Sequence, residues 1–362
     1  MRISNFVGNE FFFPDNLSPH KNVDFRHGML MTIVSRVLEQ KDHIRILEIG
    51  SWCGVSSLIF AESIQKFSKG EFPNQDSFLL CIDPWTPYLD NADLAHQEHY
   101  RLMEQAAASD AVYETFRHNT ALGARLTGVR IDHVRGDSRS VLPYLRNEYF
   151  DIVYIDGSHY YEAVKSDIEH AMRLVERGGF ICGDDLEGQL HDVDEEQCVA
   201  NRNSDFIRDV RTGGQYHPGV TLAVGRAFGN VSNYGGFWIA RKGADGYEKV
   251  AVDALRCFAP LFLSPEEGKA FQEKMNGITP TSDAPPLLNP EFVEELGTYN
   301  IIRYRQQFYC IPHHAGPFST APDWLETLNG WGVIRSTLEE ARAECRFLTE
   351  RRMEREARRR TV

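Results

Sequence analysis

Between residues 44 and 242 the sequence alternates short apolar runs with helical stretches, and this alternation restricts the fold more than any other feature. Continuous apolar runs of this length are typical of strands that are buried on both faces. The alternation predicts an α/β fold, Rossmann-like and doubly wound, with a mostly parallel sheet and helices on both faces. The runs that end close to a glycine or aspartate are Ile44–Ile49 before Gly50, Phe78–Ile82 before Asp83, Phe150–Ile155 before Asp156, and Phe180–Cys182 before Asp184.

Changes in composition divide the chain into three parts. We predict an N-terminal segment over 1–28, a central α/β domain over 29–242 and a C-terminal extension over 243–362. Within the domain, polar residues 86–129 predict a cap or insertion, and two closing strands are predicted at Val220–Val224 and Phe237–Ala240.

The C-terminal extension has four recognisable patterns. A helix is predicted over 247–275 and a linker over Thr279–Pro290. A β-hairpin is predicted over Tyr299–Ile311 and a charged terminal helix over Ser336–Arg360.

Charge and cysteine content exclude several classes of partner. A net charge of -13 argues against a nucleic-acid backbone as the main partner, because phosphate binding needs clustered lysine and arginine. The seven cysteines include no CxxC pair and favour reduced thiols in a cytoplasmic protein. No apolar stretch is long enough to predict a membrane span. Association into homo-oligomers is left open.

A glycine-containing turn follows the first predicted strand. Its sequence is Glu-Ile-Gly-Ser-Trp-Cys-Gly from Glu48 to Gly54, and Gly50 and Gly54 remove Cβ atoms where the backbone must turn tightly and approach a ligand. Glu48, Gly50, Ser51 and Gly54 are therefore candidates for cofactor binding. An ordinary strand-to-helix turn is the alternative. A nicotinamide dehydrogenase is disfavoured, because Trp52 stands where the second glycine of Gly-x-Gly-x-x-Gly belongs.

Two other strand ends offer cofactor contacts. Asp83 can accept hydrogen bonds from both hydroxyls of a ribose, or it can be the N-cap of a helix that begins at Pro84. Trp85 can cover an adenine or pack internally. Asp137 or the amide of Ser138 can reach the adenine edge, and a helix N-cap is again the alternative.

The segment from Phe150 to Leu186 carries the most specific pattern. It contains Asp-Gly-Ser-His from Asp156 to His159 and Gly-Gly-Phe-Ile-Cys-Gly-Asp-Asp from Gly178 to Asp185. These blocks resemble the macrocin-type, metal-dependent O-methyltransferases that modify sugars and other natural products, and residues 44–242 as a whole resemble class I methyltransferases. The resemblance implies S-adenosylmethionine as cofactor and a small-molecule or glycan hydroxyl as acceptor.

Three aspartates are predicted to hold a metal ion. Asp156, Asp184 and Asp185 end two neighbouring strands, and three converging carboxylates repel one another unless a cation neutralises them. Hard oxygen ligands suit Mg²⁺ or another hard divalent cation. A helix cap plus one solvated carboxylate is the alternative for Asp184 and Asp185.

His159 is predicted to be the general base, acting beside Asp156, since an ordinary imidazole pKa suits proton removal near neutral pH. A surface histidine preceding a helix capped by Ser158 is the alternative. Leu186 stands where the family commonly has an aromatic residue, so no particular acceptor is assigned. Two other functions remain open: a metal-independent methyltransferase acting on another nucleophile, and a non-catalytic cofactor-binding or scaffold protein in glycan synthesis.

Overall fold

The computed structural model describes residues 7–14, 24–70, 73–89, 98–252, 255–278, 291–304, 307–315, 333–335 and 337–359. Its main sheet has eight strands. Five of them are parallel, in the order β5-β4-β1-β2-β3. They are β1 (Arg45–Ile49), β2 (Phe78–Asp83), β3 (Arg130–Arg135), β4 (Phe150–Ile155) and β5 (Val175–Leu186).

The remaining strands of this sheet are antiparallel and come later in the chain. They are β8 (Ser232–Tyr234), β9 (Gly236–Lys242) and β10 (Tyr247–Lys249), and β9 joins the other two to β5. A short separate ribbon pairs β6 (Ile207–Arg208) with β7 (Gln215–Tyr216).

Helices cover both faces of the main sheet, which confirms the predicted Rossmann-like, doubly wound arrangement. Along β4, Ile152 and Tyr154 join one buried cluster, while Val153 and Ile155 join the other. Helices α1 (Asp24–Gln40), α2 (Val55–Phe67) and α4 (Ala111–Thr127) contribute to the first cluster, and α6 (Tyr161–Leu174) and α8 (Pro218–Phe228) to the second. The others here are α3 (Glu98–Ala108), α5 (Ser138–Val141) and α7 (Glu195–Ala200).

Two predicted elements are wrong in type, the second only in part. Residues Val220–Val224 lie inside α8 rather than in a strand, because a short apolar run buried on all sides has no visible helical period. The helix predicted over 247–275 is wrong at its start, where Tyr247–Lys249 form β10, and is confirmed only from Pro265, where α9 (Pro265–Ile278) begins. The predicted cap over 86–129 contains α3 and α4, and residues 90–97 lie outside the described ranges.

The C-terminal extension forms a second, antiparallel sheet in the order β11-β12-β13-β14. The predicted hairpin is confirmed as its central pair, and the charged helix is confirmed as α10 (Leu338–Arg359). Ala341 and Cys345 of α10 pack on Ile301 and Cys310 of the sheet. The predicted linker lies outside the described residues. The strands are β11 (Glu291–Leu296), β12 (Tyr299–Tyr304), β13 (Gln307–Pro312) and β14 (Val333–Arg335).

The predicted domain boundaries stay predictions. Among the described residues, no helix has the length and apolar character needed to cross a membrane.

Candidate active site

The turn from Gly50 to Gly54, called the glycine turn below, lies against the end of β4. Gly50 has a φ of 85°, and a Cβ atom there would be 2.1 Å from the backbone oxygen of Asp156. Gly54 has a φ of 88°, and its Cβ would lie 3.3 Å from side-chain atoms of Phe116 and Thr120. Backbone conformation and packing therefore require both glycines, in addition to any ligand that they approach.

Glu48 supports the glycine turn from inside the protein. Its fully buried carboxyl accepts hydrogen bonds from the hydroxyls of Ser51 at 2.8 Å and Ser56 at 2.5 Å, and also from the Ser57 hydroxyl and the Cys81 thiol. Burial raises the pKa of Glu48, although these hydrogen bonds act to lower it. The carboxyl thus holds the turn, and its contact with a cofactor stays a prediction.

Asp83 connects the end of β2 to the same turn. Its Oδ2 atom accepts hydrogen bonds from the backbone amides of Ser51 at 2.9 Å and Trp52 at 3.0 Å, and Oδ1 accepts one from the amide of Trp85 at 2.6 Å. The N-cap alternative for Asp83 is wrong, because no helix occurs in the described residues 84–89. Carboxylate lone pairs beyond these three bonds remain for a ribose hydroxyl.

Trp85 is packed internally in this structure. Its side chain is fully buried, with its ring centroid 4.5 Å from that of Phe116 and 4.9 Å from that of Tyr113. The indole Nε1 donates to the backbone oxygen of Trp52 at 2.8 Å. Covering an adenine would require these rings to separate, and that role stays a prediction.

Asp137 is the N-cap of α5. It accepts a hydrogen bond from the amide of Arg139 at 2.9 Å, and its other oxygen accepts one from the Arg139 guanidinium at 2.6 Å. The bonds with Arg139 lower the pKa of Asp137. The predicted N-cap alternative is thus present, and adenine contacts by Asp137 and the neighbouring Ser138 stay predictions.

Asp156, Asp184 and Asp185, called the acidic cluster below, come together at the ends of β4 and β5. One carboxylate oxygen from each lies within 4.8 Å of the others. Successive side chains of a regular strand point to opposite faces, so adjacent aspartates would ordinarily diverge. Here the register between β5 and β9 shifts between Gly183 and Leu186, and Asp185 has a φ of 64°. This irregularity explains how both carboxylates approach Asp156.

Arg26, in the first turn of α1, reaches the acidic cluster from the N-terminal part of the chain. Its Nη1 atom lies 2.5 Å from Oδ2 of Asp184 and 3.3 Å from Oδ2 of Asp156. Burial raises the pKa of Asp156 to about 7, with further increases from Asp184 and Asp185 that Arg26 only partly offsets. Arg26 could not be found from the sequence, because it is 130 residues from Asp156 and carries no motif.

His159 lies between two carboxylates. Its Nε2 atom is 3.0 Å from Oδ2 of Asp185, and its Nδ1 atom is 2.6 Å from Oδ1 of Asp205. Burial lowers the pKa of His159, but the two carboxylates outweigh burial and hold it well above the ordinary value. The Ser158 N-cap alternative is wrong, since α6 has Tyr160 as its N-cap residue.

A second histidine completes this side of the site. His217 precedes α8, and its ring centroid is 4.5 Å from that of His159. Its Nδ1 atom lies 2.9 Å from Oε1 of Glu187, and its backbone amide donates to Oε2 of Glu187 at 3.1 Å. Together with Asp185, the two histidines form a further group of potential metal ligands. No local pattern identified Asp205 or His217 from the sequence.

A cavity at this edge of the sheet is lined by several of these groups. Carboxylates and an imidazole line its polar side, and aliphatic and indole side chains line the rest; the residues are Ile155, Asp156, Gly157, Ser158, His159, Val164, Asp184, Asp185, Val220 and Trp238. Because Gly50 packs directly on Asp156, the glycine turn and the acidic cluster are neighbours at the carboxyl edge of the sheet. Ligands of open α/β sheets bind at this edge.

Comparison with known proteins agrees with this arrangement. Residues 47–186 match a family model described as "Methyltransferase domain". This match runs from β1 through the acidic cluster. A search of curated proteins finds no match to the sequence.

Solved structures with detectable similarity are distant from this chain. Cofactor-bound Rv0187 from MTB is 19% identical, over 51% of this chain and 69% of its own, with a TM-score of 0.31. A TDP-rhamnose 3'-O-methyltransferase of calicheamicin biosynthesis is 16% identical, over 60% and 77%, with a TM-score of 0.33. The O-methyltransferase TomG from Streptomyces achromogenes, involved in tomaymycin synthesis, is 15% identical, over 68% and 90%, with a TM-score of 0.34.

The family match and the parallel sheet are independent observations on the same residues. The matched region contains all five parallel strands, in the order that places the glycine turn at the centre of the sheet. Residues 47–186 of this chain therefore form a methyltransferase domain.

Proposed function

We propose that this enzyme transfers the methyl group of S-adenosylmethionine to a hydroxyl of a sugar, glycan or natural product, assisted by Mg²⁺ or another hard divalent cation. The observation that supports this proposal best is the shared cavity of His159 and the acidic cluster, beside the glycine turn. An acceptor hydroxyl that enters this cavity would lie between a proton acceptor and a group of carboxylates, next to the predicted cofactor site.

The cofactor would lie across the ends of β1, β2 and β3. In this proposal, the glycine turn approaches the cofactor's amino-acid portion and Asp83 accepts hydrogen bonds from the ribose hydroxyls. The hydrogen bonds that Asp83 already accepts from the turn support this placement, because they join the two candidate regions into one rigid surface. The predicted contributors are Glu48, Gly50, Ser51, Gly54, Asp83, Trp85, Asp137 and Ser138.

The acidic cluster has the donor chemistry that a hard divalent cation requires. Three carboxylates offer oxygen ligands within a small volume, although the positive charge of Arg26 already neutralises part of the charge of two of them. A bound cation would lower the pKa of a coordinated acceptor hydroxyl and orient it toward the methyl group.

His159 would take the proton that leaves the acceptor hydroxyl. As the oxygen attacks, the carbon–oxygen bond forms, the carbon–sulfur bond breaks, and the proton moves to Nε2 of His159. Asp205 supports this role, since its contact with Nδ1 leaves Nε2 directed at the cavity side of the ring. The ordinary imidazole pKa expected from the sequence is wrong for this structure, because, despite burial, Asp185 and Asp205 hold the pKa of His159 well above that value and favour the protonated ring. In this proposal, a cation that binds Asp185 would release its contact with Nε2, lower the pKa of His159 and leave Nε2 free to accept the proton.

Chelation tests the metal part of this proposal. Thorough treatment with EDTA should reduce methyl transfer to a panel of sugar and natural-product hydroxyls by about 100-fold or more, and added Mg²⁺ should restore it. The affinity for S-adenosylhomocysteine, measured by calorimetry, should change little. Transfer that survives chelation would favour a metal-independent methyltransferase.

Substitution in the acidic cluster provides a matched test. Asp184→Asn should lose most of the transfer activity while Asp132→Asn, at an exposed aspartate of β3 paired with Arg130, should retain it. If S-adenosylhomocysteine binds but no acceptor in a broad panel is methylated, the scaffold alternative is favoured instead.

A further inference from the structure

We propose that Arg26 is the resident cation of the acidic cluster, and that a divalent ion binds there only by displacing its guanidinium group. The inference rests on the proposed function, because it concerns the carboxylates assigned to the metal. In this inference, a side chain of the protein competes with the metal ion for the carboxylates. Neither the family match nor the sequence pattern indicates such a competitor.

Both cations would need the same oxygen atoms. Nη1 of Arg26 contacts Oδ2 of Asp184 and Oδ2 of Asp156, two of the three carboxylates that converge. A hard divalent ion binds carboxylate oxygens at about 2.0–2.6 Å, depending on the ion. A guanidinium nitrogen that remains in hydrogen-bonding contact with those carboxylates would then lie close to the ion, and the two positive charges would repel each other.

Burial strengthens this competition. The side chains of Arg26, Asp156 and Asp184 are only 15%, 18% and 13% exposed, so water screens the interactions poorly. An arginine at this position therefore stabilises the empty cluster, and its removal leaves carboxylates that favour another cation.

The way Arg26 is held suits a side chain that can move. Its helix is firmly anchored, since Met29, Leu30 and Ile33 of α1 lie in the main core. In contrast, the Nε atom of Arg26 is buried without a hydrogen-bond partner among the described residues. A buried donor without a partner is unfavourable, so the contacts of Nη1 with the two aspartates carry the hydrogen bonding of this group. Loss of those contacts would free the side chain while α1 stays in place.

Titration with Mn²⁺, followed by the electron paramagnetic resonance signal of the free ion, tests the inference directly. The unsubstituted 362-residue chain without cofactor should bind Mn²⁺ at least about tenfold more weakly than Arg26→Gln and Arg26→Met, because both variants remove the competing charge. Arg26→Lys keeps the charge and should stay close to the original affinity. The additional substitution Asp184→Asn should abolish the gain in Arg26→Gln.

Arg36→Gln is the matched control. Arg36 lies on the same helix, but its Nη1 donates to the backbone oxygen of Ala251 rather than to the cluster. Its substitution should leave Mn²⁺ affinity unchanged. Thermal unfolding should show that the Arg26 variants are folded. Arg26→Gln is polar and Arg26→Met is apolar, so if one of them does not fold, the other still measures the effect of removing the charge.

The outcomes separate this inference from the proposed function. Equal Mn²⁺ affinity in the original protein and both Arg26 variants would overturn the inference while leaving the metal role intact. Binding only after Arg26 is replaced would support the inference and favour the metal-independent reaction for the original protein. Absence of binding in every protein tested would overturn both.

Discussion

The Nδ1 atom of His159 lies 2.6 Å from Oδ1 of Asp205, on a stretch of chain 46 residues further along. Asp205 is itself buried, so this contact fixes the orientation of the imidazole ring from the side opposite the cavity. In the neutral ring, a proton held on Nδ1 leaves Nε2 as the acceptor. In the proposed reaction, the pair therefore decides which nitrogen would take a proton from a bound hydroxyl.

Asp205→Asn should lower kcat for methyl transfer by about 10- to 100-fold, because an amide can stabilise the wrong tautomer and does not stabilise the imidazolium. The affinity for S-adenosylhomocysteine should be nearly unchanged. Steady-state kinetics with saturating cofactor, together with calorimetry, measure both quantities. An equal loss in cofactor affinity would instead indicate a general disturbance of the site.

Asp83→Ala should weaken S-adenosylhomocysteine binding by about tenfold or more, because it removes the acceptor for the backbone amides of Ser51 and Trp52 together with the predicted ribose contact. Calorimetric titration measures the change. Asp132→Ala is a suitable control on the next strand, since that aspartate is exposed and pairs with Arg130. Unaltered affinity in Asp83→Ala would exclude Asp83 from the cofactor site.

Gly50→Ala should destabilise the fold by about 3 kcal/mol or more, because the new Cβ would collide with the backbone of Asp156 in addition to straining a positive φ. Gly229→Ala measures the cost of the positive φ alone. Gly229 also has a positive φ, of 74°, but no atom lies within 4 Å of its Cβ position, so about 1–2 kcal/mol is expected. Urea denaturation of both variants gives the comparison, and equal losses would contradict the proposed close approach.

Glu62 should make the protein less stable as the pH rises from about 4.5 to 7. Burial raises its pKa to about 7, although the amide of Leu261 and the charge of Lys66 act to lower it. In this pH range the folded state retains a proton that the unfolded state has released, so the free energy of unfolding falls and then levels off above pH 7. Glu62→Gln removes the titrating group and should be more stable than the original protein at pH 8 by up to about 3 kcal/mol.

The comparison at pH 4.5 is the internal control, because Glu62 is protonated in the folded protein there and the two proteins should differ little. Glu162→Gln provides a second control at an exposed glutamate of α6. Denaturation curves at several pH values measure the effect. A constant difference between Glu62→Gln and the original protein at all pH values would contradict the linkage.

The sequence predicted the parts of the fold that depend on local pattern. Four mainly apolar runs ending near glycine or aspartate became β1, β2, β4 and β5, because buried parallel strands are mostly apolar. The strand predicted at Val220–Val224 is wrong, because a helix that is buried on all sides has a continuous apolar run like that of a buried strand.

The convergence of the acidic cluster also followed from pattern, since Asp156 and the Asp184–Asp185 pair stand at the ends of adjacent parallel strands. Arg26, Asp205 and His217 could not be found this way. Their contacts depend on how α1 and the chain after β5 pack against the sheet, and no spacing between neighbouring residues encodes that packing.

At the irregular end of β5, the orientation of Asp184 and Asp185 depends on the uncharged residue that precedes them, Gly183. A Cβ atom on Gly183 would lie 2.4 Å from the backbone oxygen of Ile155 and 2.6 Å from Nε1 of Trp238. An alanine at that position would push β5 away from both neighbouring strands just before the kink that orients Asp184 and Asp185. In the proposed metal site, a single methyl group on β5 would thus weaken cation binding although all three aspartates are still present.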